Sequence, residues 1–182
     1  SYGATQGWAT AKYRETPGFK LETLNMPLEL IAGRLSGGGT RLMESLKRYR
    51  NIALWVVASR ANSTGTVRNG PFGQPMVKYS LDDADMRKLR AGSVQVAKMH
   101  FAAGATAVMP GIMGVPKEMT AKELPLLENA SLDPKDWTSI LTHLFGGCPM
   151  GANANIGLCD ERGKVFGYEG LVIADASVMP TN

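Results

Sequence analysis

Residues 59–89 read SRANSTGTVRNGPFGQPMVKYSLDDADMRKL. Two short runs, Thr66-Val67-Arg68 and residues 76–79, are fenced by turn formers. Asn62-Ser63-Thr64-Gly65 precedes the first; Asn69-Gly70-Pro71 and Gly73 separate the two. Gly and Asn tolerate the positive φ of tight turns, so short runs between them predict antiparallel strands. Just upstream, residues 51–60 form a longer apolar run, predicted as a strand covered on both faces. Three such neighbours predict an antiparallel meander. The period then changes. Met86, Leu89, Ser93, Val96, Ala97 and His100 share one face at helical spacing within residues 80–103. Ser80, with Asp83 three residues on, predicts the N-terminal cap, and Gly104 the left-handed stop. Strands and tight turns followed by a long helix mean α+β: an antiparallel sheet packed with helices.

Outward from there the pattern is weaker. Residues 19–26 alternate, with Phe19, Leu21 and Thr23 on one side, and predict a strand. Pro27 suits a first helical position, Gly37-Gly38-Gly39 interrupts that helix, and a second piece spans 40–48. The first twenty residues show no periodicity and are expected to be irregular. On the other side, residues 105–109 are a candidate strand and the stretch to Pro116 a loop. Residues 120–129 and 133–138 predict short helices, and the last forty residues return to strand and turn. No internal repeat is present.

The chain has 182 residues, 44% apolar and 20% charged, which suits a globular protein with a real core. Its net charge of +4 is mild and scattered. The densest basic spot, Lys47-Arg48-Tyr49-Arg50, reads as a solvated helix end, and no nucleic-acid partner is expected. Two cysteines, Cys148 and Cys159, are too few for a disulfide scaffold, although their closeness leaves a bridge open. The longest apolar run, 52–58, is too short for a bilayer, and the N-terminus lacks a signal peptide's basic start and apolar stretch. A soluble chain with no membrane partner is expected, its compartment unspecified. It lacks an initiator methionine, and both ends read as cut.

No glycine-rich dinucleotide turn, phosphate loop or nucleophile elbow is present, and the Gly37 triplet follows no buried strand. Histidine is the simplest general base near neutrality, and there are two. His100 lies on the helix face and reads as structural. His143 follows a plausible strand end and precedes Gly146-Gly147, where backbone approaches another molecule closely. A zinc site built on His143, Cys148 and Cys159 would fit no common spacing and would want a fourth ligand.

Three blocks in order decide the matter. HLFGGCPMG (143–151), CDERGKVFG (159–167) and GLVIADASVMPTN (170–182) resemble the C-terminal signature of the glucose–methanol–choline (GMC) flavoprotein oxidoreductases. More loosely, residues 59–89 and FAAGATAV (101–108) resemble the strand–turn–strand and helix of the family's substrate domain. The resemblance covers about residues 50–182.

The resemblance implies a substrate-binding domain over residues 1–140 and a C-terminal segment, 141–182, that contributes to the flavin site of an FAD-binding α/β domain. It implies His143 as the active-site acid/base, set over the flavin near N5 and contacting the substrate hydroxyl. Gly146 and Gly147 match small residues in a narrow turn. Asp175 matches an aspartate near the ribityl and pyrophosphate portion, and Ala176 the small residue whose amide approaches the pyrophosphate. No metal is implied. The expected activity is oxidation of a CH–OH donor to aldehyde or ketone by hydride transfer to FAD, as oxidase or dehydrogenase. The alternative is a non-catalytic, substrate-domain-like binding module. The family's N-terminal glycine turn, and its second catalytic Asn or His beyond the equivalent of Asn182, are absent here. This chain is therefore expected to be the C-terminal portion of the enzyme, partnered by a missing N-terminal FAD domain. Alone, it is expected to retain no FAD, oxidise no alcohol and self-associate through an exposed edge.

Overall fold

The computed structural model describes residues 5–35, 37–140 and 143–180, with only the backbone at Thr5 and Gln6. Contacts sort the chain into two compact units. One joins Ser1–Gly65 with Tyr79–Thr138; the other joins Thr66–Lys78 with Ser139–Asn182. The architecture is a mixture of helix and antiparallel sheet.

The first unit is built on a three-stranded antiparallel sheet in the order β1 (Thr5–Thr10), β2 (Phe19–Asn25), β3 (Trp55–Ser59). In β2 the alternation works as predicted: Phe19 and Leu21 are buried, with Lys20 exposed between them. Phe19 stacks on Tyr13, ring centroids 5.1 Å apart. Two short helices follow, α1 (Leu28–Ala32) and α2 (Gly39–Lys47), separated at the glycine triplet. The meander expected after residue 51 does not form. β3 turns back and pairs antiparallel with β2, Leu21 opposite Val57. A long-range partner outcompetes the next strand in sequence, because β2 presents the buried face that Val57 completes. β1 is a second departure: its Gly- and Thr-rich sequence carries no alternation, yet Thr23 Oγ1 accepts from Trp8 N at 2.7 Å and ties it to β2.

The long helix α3 (Asp83–Ala102) lies across β2 and β3. Gly92 is buried where it crosses, and an added Cβ would strike the Val57 side chain, so the helix sits closer than alanine would allow. Its cap is Asp82 rather than the expected Ser80: the Asp82 carboxylate accepts from Asp85 N at 2.8 Å. The carboxylate displaces the hydroxyl because it is the stronger acceptor at the positive end of the helix. At the far end Gly104 takes the predicted left-handed stop at φ 91. Beyond α3, Ala97, Ile112, Met119, Leu127 and Ala130 close a core with α4 (Leu124–Glu128). Residues 105–109 contribute one bridge, Val108 to Met119, rather than a strand. Thr120 and Glu123 make a reciprocal capping box at the turn before α4.

Asp85 is only 1% exposed. Its carboxylate accepts from Asn62 N (3.0 Å), Ser63 N (2.9 Å), Ser63 Oγ (2.6 Å) and Lys88 Nζ (2.8 Å), clamping the 62–63 turn to α3. Burial by itself would push this carboxyl up. Lys88, the Ser63 hydroxyl and the two N–H groups outweigh burial and hold it at about 2, against an ordinary 3.8. A carboxyl depressed on folding stabilises above its unfolded pKa, and that stabilisation drains away as pH falls through the folded value. Asp85 therefore contributes about 2 kcal/mol above roughly pH 4, lost towards pH 2. Asp85→Asn is expected to lower the unfolding free energy by about that much at neutral pH. It should also flatten the acid limb of a denaturation series. An unchanged acid limb would show that the clamp contributes nothing.

The second unit has one hairpin, β4 (Thr66–Asn69) with β5 (Pro75–Lys78), Val67 opposite Val77. These are two of the predicted strands, paired as expected with each other though not with β3. The remainder is turns tied by single bridges. Met150 meets Cys159, Cys159 meets Val165, and Lys164 meets Val172. Thus 171–174 makes one bridge where a strand was expected. Cys159 and Val165 are its buried centre.

Candidate functional site

The site is best built from the two glycines after His143. Residues 146–150 run beside 177–180: Cys148 N donates to Ser177 O at 3.0 Å, and Met150 N to Val178 O at 2.8 Å. Gly146, at φ 72, lies where an added Cβ would come 3.4 Å from Pro180 O; at Gly147 it would come 3.6 Å from Ser177 Cβ. The left-handed backbone at Gly146 and this near contact both favour glycine. The fold thereby brings Gly146 and Gly147 against the short helical turn that Asp175 opens, about thirty residues away in no obvious sequence relation.

Asp175 caps that turn (Ala176–Val178), its carboxylate accepting from Ser177 N at 2.8 Å. Ser177, through its hydroxyl and then its N–H, holds the Asp175 carboxyl below its ordinary value. The charge is therefore fixed and spent on the turn. Among the described residues no acceptor meets the Ala176 N–H, which is exposed at the start of the turn. His143 is exposed at φ 54, the single non-glycine residue at positive φ among those described. An L-residue in the left-handed region carries a cost of about 1–3 kcal/mol, and such residues cluster at functional sites. The strand end expected before it falls on Leu141 and Thr142, outside the described residues, as does Asn182. His100 is half-buried on α3, and burial pushes its imidazole pKa down.

Two further residues hold the site, and sequence reasoning passed over them. Gly151 and Gly157 close the loop ANANI backbone to backbone: an added Cβ on Gly151 would lie 2.7 Å from Gly157 N. Gly151 N donates to Cys159 O at 2.8 Å, and Leu158 N to Pro149 O at 2.7 Å. The signal was present in two glycines flanking alternating Asn, of which Asn153 accepts from Asn155 N at 3.0 Å. The Cys148 and Cys159 thiols are free, and Cys159 Sγ donates to Cys148 O at 3.6 Å. Among the described residues no three His, Cys, Asp or Glu side chains are grouped to hold a metal ion. No helix among them is long and apolar enough to cross a membrane.

One unit sets helices on antiparallel sheet, and in the other a glycine-bearing loop runs along an aspartate-capped turn. The sequence model of the family described as GMC oxidoreductase matches residues 61–182, its C-terminal domain. The chain belongs to the GMC oxidoreductase family. An uncharacterized GMC-type oxidoreductase of Mycobacterium tuberculosis is 29% identical over 180 residues, 98% of this chain but 28% of its own length. A long-chain-alcohol oxidase of Arabidopsis thaliana is 30% identical over 155 residues, covering 79% of this chain and 20% of that protein. A 5-(hydroxymethyl)furfural oxidase of a Methylovorus species is 30% identical over 146 residues, 72% of this chain and 27% of the relative. No solved structure is a significant match. The chain thus spans less than a third of the length of these relatives.

Proposed function

We infer that the chain acts within a longer flavoprotein that oxidises an alcohol to an aldehyde or ketone. Residues 1–140 supply its substrate side, and residues 141–182 reach into an FAD-binding α/β domain. The observation that carries this reading is the alignment of residues 146–150 along 177–180, with His143 held at φ 54 just before it. A binding module would not require that constellation. Two of the relatives are named as oxidases, one of long-chain alcohols and one of 5-(hydroxymethyl)furfural.

The residues present fit FAD at this edge. Gly146 and Gly147 put no side chain in the way, and the free Ala176 N–H is a donor for a phosphate oxygen. Asp175 holds the turn that aims this N–H. FAD supplies the hydride acceptor when bound. His143 takes the proton of the substrate hydroxyl on an imidazole nitrogen, since hydride leaves carbon readily only as the oxygen loses its proton. The Ala176 N–H alone offers about one hydrogen bond of roughly 1 kcal/mol, too little to offset the cofactor's lost freedom. The test has two arms. The whole protein containing this chain is expected to carry bound flavin absorbance that an alcohol bleaches without oxygen. The 182-residue chain with added FAD is expected to stay colourless after desalting. A colourless whole protein, or one that no alcohol bleaches, would overturn the assignment.

A further inference from the structure

In the first unit, Arg34 and Leu35, α2 and the 109–118 loop line an open cleft of about 310 Å³ with an unbalanced charge. Its two acids are already committed: Glu118 pairs with Arg48, and Glu44 with Lys47 at 2.7 Å. Arg34, Arg41 and Lys117 also line it, and among the described residues none of the three meets an acid or any other acceptor. Lys117 Nζ stands over the glycine triplet, 3.6 Å from where a Gly37 Cβ would be, so the loop's missing side chains leave the ammonium room. The apolar groups in the lining are Leu35 and Met109.

We propose that this cleft binds an oxyanion, a phosphate or carboxylate, carried on a short alkyl chain. Three unpartnered cations around one concavity focus a positive potential that pairing within the protein does not cancel. Guanidinium groups match the planar or tetrahedral oxyanion with two parallel N–H donors, and the ammonium adds a point charge. Leu35 and Met109 give the alkyl chain a surface to cover, and the volume suits a ligand of about a dozen heavy atoms. The proposal does not rest on the flavin reading and needs no cofactor. A free amphiphile and a bilayer headgroup share this chemistry, and free octyl phosphate set against vesicles tells the two apart.

The test is calorimetric titration of octyl phosphate, kept below its micelle concentration, into the 182-residue chain. Saturable one-site binding is expected, about tenfold or more tighter than inorganic phosphate because the alkyl carbons leave water. Octanoate should also bind, and 1-octanol should not. The triple variant Arg34→Gln/Arg41→Gln/Lys117→Gln is expected to bind about a hundredfold more weakly, with an unchanged circular-dichroism spectrum. Glu118→Gln releases Arg48 and is expected to tighten binding several-fold, a gain that a loss of folding could not produce. Equal affinity for 1-octanol, an unaffected triple variant, or association with anionic phospholipid vesicles without saturable octyl phosphate binding would overturn the proposal.

Discussion

On the proposed function, His143→Ala in the whole protein containing this chain is expected to slow flavin reduction by alcohol about a hundred- to ten-thousandfold while the flavin stays bound. That range corresponds to roughly 3–5 kcal/mol of barrier. The loss falls on the chemical step because the imidazole is assigned the hydroxyl proton and no part of the cofactor's grip. Its backbone offers an independent check. With φ at 54, His143→Gly should relieve conformational strain and raise stability by about 1 kcal/mol while losing the same rate. Stability and activity would then move in opposite directions, which a merely structural histidine would not show. His100→Ala is the contrast: a half-buried helix residue whose removal should lower the melting temperature and leave reduction untouched. Stopped-flow reduction under anaerobic conditions reads all three. Wild-type kinetics in His143→Ala would remove the histidine from the reaction.

The second large effect belongs to a residue with no chemistry of its own. At Gly157 a new Cβ would strike Gly151 N and come 2.6 Å from Gly151 Cα and 2.7 Å from Met150 C, all of them backbone atoms. No rotamer change relieves that overlap. The strand of hydrogen bonds from Gly151 N to Cys159 O and Leu158 N to Pro149 O would have to open instead. Gly157→Ala is expected to cost about 3 kcal/mol, the upper end for overpacking and a large share of a domain's stability. Hydrogen exchange should show the Gly151 and Leu158 amides losing protection first. Gly38→Ala supplies the comparison, since no atom lies within 4 Å and the backbone at φ −150 accepts any residue. If both variants melt together with the wild type, the close approach of Gly151 and Gly157 is not a constraint in solution.

What the sequence disclosed, and what it hid, follows from how far each feature reaches along the chain. Local signals carried well: the period along α3, the alternation of Phe19 and Leu21, the stop at Gly104 and the turns around β4 and β5. The pairing of β3 with β2 was hidden, because nothing in residues 51–60 states whether Val57 faces the strand before it or after it. β1 was hidden for a different reason. It is held by backbone bonds and by Thr23, so its own side chains carry little pattern. For the candidate site, residue types pointed to His143 beside Gly146 and Gly147, and only the family resemblance pointed to Asp175 and Ala176. The fold places Gly146, Gly147 and the Asp175 turn together. Gly151 and Gly157 escaped because a glycine needed for backbone contact looks, in one dimension, like a glycine needed for a turn.

The membership of Thr66–Lys78 with Ser139–Asn182 sets an order of events during synthesis. The hairpin leaves the ribosome about sixty residues before the segment it joins, and a lone two-stranded ribbon is marginal in water. Val67 and Val77, opposite each other in that ribbon, are each 68% exposed even in the finished fold, so little apolar burial holds it through that interval. Production of this protein should therefore be sensitive to translation pauses within residues 79–138 and to chaperone supply, and no single proteolytic cut can release either unit whole.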